Sequence, residues 1–271
     1  MDRLKNKVAC ITGAGSGIGR ATALRFAQEG ARVLVSDLRG EAAEAVVTEI
    51  AALGGSGVAM AVDVGQEEQL EAMIERTVKD FGRIDILYNN AVNTSGKGKA
   101  DKDFLAFDSA RFMDVVRVNV LGGVLASRMA IPHMLRQGGG SILFTSSTSS
   151  LGGDVAQFCY GGSKAMVNWY VQTIAATFGK QGIRCNGILP GVIQTPAQMA
   201  WANAAMDADF LDLHNVPRLG LPEDIAALAL FLASDESAYI NGTLMRADGG
   251  MSCTVPYVQV VRNLLTANKG E

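Results

Sequence analysis

Val8-Ala9-Cys10-Ile11-Thr12 runs directly into Gly13-Ala14-Gly15-Ser16-Gly17-Ile18-Gly19. A short apolar run that stops at clustered glycines predicts a buried strand, a tight turn and the start of a helix. Glycine lets the backbone turn sharply and lets a phosphate approach with no Cβ in the way. The helix that follows presents unpaired N–H groups and positive potential at its first turn. The spacing is T-G-x-x-x-G-x-G, not G-x-G-x-x-G. A glycine cluster alone is equally an ordinary turn. The strand–turn–helix context is what favours phosphate binding by Gly13, Gly15, Ser16, Gly17, Ile18 and Gly19.

Outward from this stretch, strand-like and helix-like segments alternate. Strands are predicted at 32–37, 58–63, 84–89, 141–145, 184–189 and 243–247. Leu70, Met73, Ile74, Val78 and Phe81 share one helix face, and Gly82 ends that helix. Ile225, Leu228, Ala229 and Leu232 form another face, opened by Pro222, Glu223 and Asp224. Residues 110–136 read as a long apolar helix with a kink near Pro132. The alternation predicts an α/β fold: a Rossmann-type, doubly wound parallel sheet of about seven strands with helices on both faces, in a single domain over 1–271. Polar and glycine punctuation follows the strands repeatedly, at 13–19, Asp37, Asp63, Asn89–Asn90, Ser146–Ser147 and Pro190–Gly191. In open α/β sheets that edge binds ligands, although loops use the same residues for turns alone.

The chain has 271 residues and a net charge of −3, which argues against nucleic acid or an anionic membrane as a partner. No stretch reads as approaching the ~20 apolar residues of a membrane span. Residues 1–7 lack the apolar core of a signal peptide. Cys10, Cys159, Cys185 and Cys253 are scattered and read as reduced thiols, so a cytoplasmic location is expected. With only His133 and His214 as histidines, no metal site is expected.

Asp37, with Leu38 beside it, ends the second predicted strand. An acid there suits the adenosine ribose hydroxyls and repels a 2′-phosphate, which favours NAD over NADP. Arg39 keeps NADP open, since it can pair with a 2′-phosphate if Asp37 turns away. A plain turn aspartate is the other reading.

Interconverting a carbonyl and an alcohol would need one acid/base group on the reacting oxygen. Tyr160 and Lys164 are four apart, so a helix puts both on one face. A nearby ammonium favours the phenolate, and the Ser147 hydroxyl can hydrogen-bond a substrate oxygen. A bare Y-x-x-x-K also describes any amphipathic helix. The ordered set narrows this: the glycine turn, Asn89-Asn90-Ala91, Asn119, Ser147, Tyr160-x-x-x-Lys164 and Pro190-Gly191 together resemble the short-chain dehydrogenase/reductase family, over residues 5–250.

The resemblance implies a role for each matching residue. Tyr160 would be the proton donor and acceptor, and Lys164 would lower its pKa and hold the nicotinamide ribose. Ser147, in preference to Ser146, would bind the substrate oxygen. Asn119 would anchor a proton-relay water. Asp63 and Val64 would contact adenine, with Asn89 and Ala91 on the adenosine side. Pro190 and Gly191 would border the nicotinamide, with Ile193 and Thr195 on its carboxamide and the phosphates. The implied activity is NAD-dependent interconversion of a small, apolar or cyclic secondary alcohol and its ketone. The alternatives are an NADP-dependent carbonyl reductase and a non-catalytic dinucleotide-binding regulator.

Three local features depart from the pattern. Val92 stands where the family has glycine, which would be strained at positive φ. Gly161 and Gly162 follow Tyr160 and are read as clearance beside the cofactor. Residues 251–271 form an extension, with 255–265 apolar enough to dock as a helix or to pack on a neighbouring subunit. Residues 196–216, carrying Met199, Trp201, Met206, Phe210 and Leu213, read as a substrate lid with an apolar pocket, or as a segment seated on the core. The loop 92–103, with Ser95, Lys97, Lys99 and Asp101, reads as a solvated tip. Helices over 110–136 and 161–178 are apolar on several sides, and the family resemblance then implies a homotetramer, with a dimer second.

Overall fold

Every residue of β1 (Val8–Thr12) is buried, and its side chains leave alternately for opposite sides. Ala9 and Ile11 join Val33 and Val35 in one core cluster, while Cys10 joins Leu34 in the other. Burial on both faces explains why the strand reads as a continuous apolar run without alternation. The computed structural model describes residues 2–93, 101, 103–200 and 202–267. Trp201, Ser95, Lys97 and Lys99 lie outside the described residues.

The remaining strands are β2 (Arg32–Asp37), β3 (Ser56–Ala61), β4 (Ile86–Asn89), β5 (Gly140–Thr145), β6 (Ile183–Pro190) and β7 (Leu244–Ala247). They pair in parallel in the order β3-β2-β1-β4-β5-β6-β7. The winding reverses between β1 and β4, and the crevice of such a sheet opens there, beyond the carboxyl ends.

The helices, in chain order, are α1 (Gly17–Gln28), α2 (Gly40–Ala52), α3 (Glu67–Phe81), α4 (Ser109–Val116), α5 (Gly122–Arg136), α6 (Phe158–Phe178), α7 (Pro196–Met199), α8 (Ala204–Leu213), α9 (Pro222–Ala233) and α10 (Val258–Ala267). α1, α2 and α9 feed one cluster through Phe26, Ile50 and Leu230. α3, α5 and α6 feed the other through Leu70, Ala126 and Val171. The doubly wound α/β sheet expected from the alternation is therefore the observed fold.

Local chemistry sets several boundaries. Gly82 closes α3 in the left-handed conformation, and its N–H donates to the Val78 carbonyl at 2.7 Å. The Asp224 carboxylate accepts from Leu221 N at 2.8 Å and pairs with Arg218, which fixes the start of α9. Asp85 accepts from Val8 N at 2.9 Å and from Arg83, joining the first turn before β4 to β1.

Two expectations shift. β3 begins at Ser56, two residues before the apolar run, because pairing with β2 begins at Arg32↔Ser56. An edge strand takes its register from its neighbour. The long helix spans Ser109–Arg136, and its irregularity is a π turn at Arg117–Leu121, while Pro132 lies inside α5. By length and composition alone this helix is apolar enough to cross a membrane, as buried core helices also are, and much of it is packed inside the protein. One face carries Val120, Ala126, Ala130 and Met134 into the core.

Cys10, Cys159 and Cys185 are buried and Cys253 is exposed, all as free thiols. Burial pushes the Cys10 thiol up to about 12 and that of Cys159 up to about 11, the latter with help from Asp101.

Glycine substitutions separate packing from propensity. A Cβ on Gly19 would lie 2.2 Å from the Gly13 carbonyl oxygen, whereas one on Gly162, inside α6, meets nothing within 4 Å. Gly19→Ala should lose about 3 kcal/mol in urea unfolding, and Gly162→Ala should gain about 1 kcal/mol. Loss of stability in both would show that α6 needs Gly162 for a reason other than space.

Candidate active site

The glycine turn is built for close approach. Gly13 and Gly17 have φ of +62° and +52°, a region that side chains avoid. A Cβ on Gly15 would sit 2.8 Å from the Asp37 carboxylate. Ser16 precedes α1 in an extended conformation without capping it, so its side chain leaves the first-turn N–H groups of Gly17, Ile18 and Gly19 unclaimed. Asp37 is pinned: Oδ2 accepts from Gly15 N at 2.9 Å and Oδ1 from Arg39 N at 3.1 Å. The Arg39 guanidinium lies 3.7 Å from the same carboxylate and is itself well exposed, as is Leu38. This cradle fits a dinucleotide, with the pyrophosphate over the bare turn and a ribose at Asp37.

The neighbouring turn sends its two asparagines in different directions. Asn89 points into the interior, where its Nδ2 donates to Ser127 Oγ at 3.1 Å and its Oδ1 is buried without a protein partner. Asn90 is the residue at the cleft. Its Nδ2 donates to the carbonyls of Thr12 and Gly13, both at 3.1 Å, and its Oδ1 accepts from Thr145 Oγ1. Asparagine in both positions gives a single sequence no means to choose between them. Ala91 backs Gly13, with its Cα 2.8 Å from where a Cβ would be. Asp63 is occupied locally by Gly65 N at 2.8 Å, and Val64 is nearly buried beside Asn89.

The carboxyl end of β5 faces α6. Lys164 is 2% exposed, and its Nζ donates to the Thr145 carbonyl at 2.7 Å. The same Nζ lies 5.6 Å from the centre of the Tyr160 ring. Burial lowers the Lys164 ammonium to about 8. Burial raises the Tyr160 phenol above its usual range, against a hydrogen bond from Ser147 that lowers it. The protein's own groups therefore hold the Tyr160 phenol up, through burial opposed by the Ser147 hydrogen bond. Ser146 is committed elsewhere, to the Lys164 carbonyl and to Asn168 Oδ1 at 2.6 Å. Ser147 keeps its hydroxyl at Tyr160 and accepts from Ser149 N. Asn119 sits in the π turn, a feature often found at functional sites. Its Oδ1 accepts from Asn93 N at 2.7 Å, and its Nδ2 donates to Ser163 Oγ at 3.1 Å. It reaches α6 through Ser163, beside Lys164 in sequence.

These groups share one cleft of about 410 Å³. Ser16, Asn90, Ser147, Tyr160, Lys164 and Thr195 line it, so the glycine turn and the Ser147–Tyr160–Lys164 set open to the same space. Pro190, Gly191 and Ile193 floor it at the end of β6, and Gly191 is pressed against Asp248. Thr195 caps α7 through Gln198 N at 3.2 Å and lies beside Gly17. From 196–216 the cleft receives Ala197, Gln198 and Phe210, whereas Met199 and Leu213 point outward. The apolar-lid expectation thus rests on Phe210, joined from the extension by Met251.

Other readings change as well. Val92 lines the cleft without positive φ, so valine is unstrained there. A Cβ on Gly161 meets only Ser149 O, at 3.1 Å, and one on Gly162 meets no protein atom within 4 Å. The left-handed residue is Gln157, with φ 60° and ψ 37°, immediately before α6. Its N–H donates to Asp101 O at 2.8 Å and its carbonyl accepts from Gly161 N at 2.9 Å. Nothing in its sequence neighbourhood signals that conformation.

Comparison with known proteins agrees with this geometry. The family model described as enoyl-(acyl carrier protein) reductase matches residues 13–252. A probable short-chain type dehydrogenase/reductase of Bradyrhizobium diazoefficiens is 40% identical over 94% of this chain and 91% of its own. The cyclohexanol dehydrogenase of an Acinetobacter species is 36% identical over 92% and 96%. The structure of a 7α-hydroxysteroid dehydrogenase complexed with NADH and 7-oxo glycochenodeoxycholic acid superposes with a TM-score of 0.87 at 36% identity, covering 92% of this chain and 95% of that one. With its parallel sheet, its glycine turn and relatives matched along nearly their whole length, the chain belongs to the short-chain dehydrogenase/reductase family of oxidoreductases.

Proposed function

We propose that the protein is an NAD-dependent dehydrogenase interconverting a small cyclic or otherwise apolar secondary alcohol and its ketone. The observation that carries this is the opening of Ser147, Tyr160 and Lys164 into the same cleft as the glycine turn. Ser147 holds the substrate oxygen, and Tyr160 takes its proton during oxidation and returns it during reduction. Lys164 binds the ribose and keeps positive charge near the phenol. Asn119 has both side-chain groups engaged by Asn93 and Ser163, so it positions the π turn against α6 and leaves a relay water to its main-chain carbonyl. The dinucleotide supplies the hydride acceptor and, when oxidised, a cationic ring that favours the phenolate.

Asp37 supports NAD. Held by two backbone N–H groups, it stays at the ribose edge, where a 2′-phosphate would meet its charge. Arg39, exposed beside it, is the feature that favours the NADP reading. Glycines 13, 15, 17 and 19 with Ser16 and Ile18 hold the phosphates. Leu38, Asp63, Val64 and Ala91 border the adenosine, joined by Asn90, while Pro190, Gly191, Ile193 and Thr195 hold the nicotinamide end. Phe210, Val92 and Met251 favour an apolar substrate, and relatives that act on cyclohexanol or a hydroxysteroid are in keeping with a cyclic one. The three-residue gap between Tyr160 and Lys164 favours carbonyl over enoyl chemistry. Exposed Met113, Leu121 and Trp169 on α4–α6 favour self-association, as a homotetramer or, second, a dimer.

Reduced-nicotinamide absorbance with NAD or NADP and a panel of cyclic, aromatic and steroid alcohols tests the activity. Tyr160→Phe should drop turnover by about a thousandfold while leaving NADH binding within about twofold. Turnover that survives this substitution would remove Tyr160 from the chemistry.

Asp37→Ala should weaken NAD binding by about tenfold or more and leave NADP binding unchanged or improved. Equal weakening of both would end the ribose assignment.

Lys164 also makes a stability prediction. Its displacement from 10.5 to about 8 corresponds to about 3 kcal/mol of destabilisation at neutral pH. The unfolded chain binds the extra proton, so stability attributable to this group rises as pH climbs from 8 towards 10.5. Lys164→Met should be inactive yet more stable than the wild type by about 1–3 kcal/mol at pH 7, with the gap closing by pH 10.5. A gap independent of pH would contradict it.

A further inference from the structure

The helix α8 lies over the cleft with no residue buried, yet it carries Phe210 into the wall. An element without buried side chains is held by its polar ties, and its position is soft wherever those ties are few. At its front, Asn203 caps it through Met206 N at 3.0 Å, and the nearly buried Gln198 donates to Asp207 Oδ1 at 3.0 Å.

At its rear the ties come from beyond the family's matched region. Arg262 of α10 donates to the carbonyls of Asp212 and His214, each at 3.4 Å, and to Asn215 Oδ1. Those carbonyls belong to the last turn of α8 and the residue that caps it, where a helix leaves acceptors unpaired and favours a cation. Asn215 continues the joint. Its N–H donates to Gly249 O at 2.8 Å, and its Nδ2 donates to Gly250 O at 2.7 Å and to Cys253 Sγ at 3.3 Å. His214 is buried with Nδ1 at Phe210 O, 2.6 Å away, and seats against Gly249. Met251, between the Gly250 and Cys253 contacts of this joint, lines the cleft together with Phe210.

The geometry points to Arg262 as a positioning residue: through Asn215 and the end of α8 it sets where Phe210 and Met251 stand, and so sets the fit of the substrate's apolar body. It touches neither substrate nor the reacting atoms. This rests on the dehydrogenase reading only for its effect on turnover, because the clamp itself can be observed without any substrate.

The test uses the full chain as wild type, Arg262→Ala and Arg262→Lys, with saturating NADH for exchange and saturating NAD for turnover. Hydrogen exchange of amides 204–214 should quicken about tenfold in Arg262→Ala and less in Arg262→Lys, while amides of β1 and β6 keep their rates. With cyclohexanol as the probe, KM should rise about tenfold in Arg262→Ala while kcat and NADH affinity stay within about twofold. Unchanged exchange at 204–214, exchange raised equally across the sheet, or an unchanged KM with a loosened α8 would each overturn the assignment. If the wild type oxidises no alcohol, the dehydrogenase reading fails, and exchange alone still decides whether Arg262 clamps α8.

Discussion

Lys164 places an ammonium in the interior with the Thr145 carbonyl as its hydrogen-bond partner, and much of the architecture follows from making that tolerable. The group must reach the end of β5, so α6 has to lie flat against the sheet there. Ser146 secures that contact by bonding the Lys164 carbonyl and Asn168 on the next turn. The π turn in the opposite helix meets α6 through Asn119 and Ser163. A buried cation held by a neutral carbonyl is destabilising for the fold. Such a group is retained where its charge is useful, and here it lies beside a phenol that burial holds above its usual range.

The winding of the sheet explains why two chemistries share one space. The β1 turn and the β5 end belong to distant parts of the chain, yet β4 alone separates them in the sheet. Thr145 makes the link tangible: its hydroxyl touches Asn90, which in turn holds the carbonyls of Thr12 and Gly13. A shift of the glycine turn would therefore be felt at the lysine's partner through three hydrogen-bonded residues.

The strands and the proposed acid/base pair were legible because their signals are periodic or local. β1 and β2 end where apolar residues give way to Gly13 and Asp37, and Tyr160 and Lys164 share α6 by their four-residue interval. What could not be read depends on neighbours. β3 took its start from β2, and the choice between Asn89 and Asn90 depended on which way the turn faces. Gln157 adopts a glycine-like conformation because Asp101, far off in sequence, accepts its N–H. The apolar residues of 196–216 divide for the same reason: Phe210 lines the cleft, Met199 and Leu213 face outward, and Met251 reaches the cleft from outside the segment.

The distribution of thiols gives the molecule a built-in handle. Three of its four cysteines are sealed in the interior, and burial keeps them in the unreactive protonated form. Cys253 alone is open to solvent, and its sulfur sits at the joint that Asn215 makes with the chain end. A maleimide dye would therefore label each chain once, without mutagenesis, at the place where α8 meets the C-terminal segment. Its emission would report movement of that joint directly, making the native protein its own sensor of lid motion.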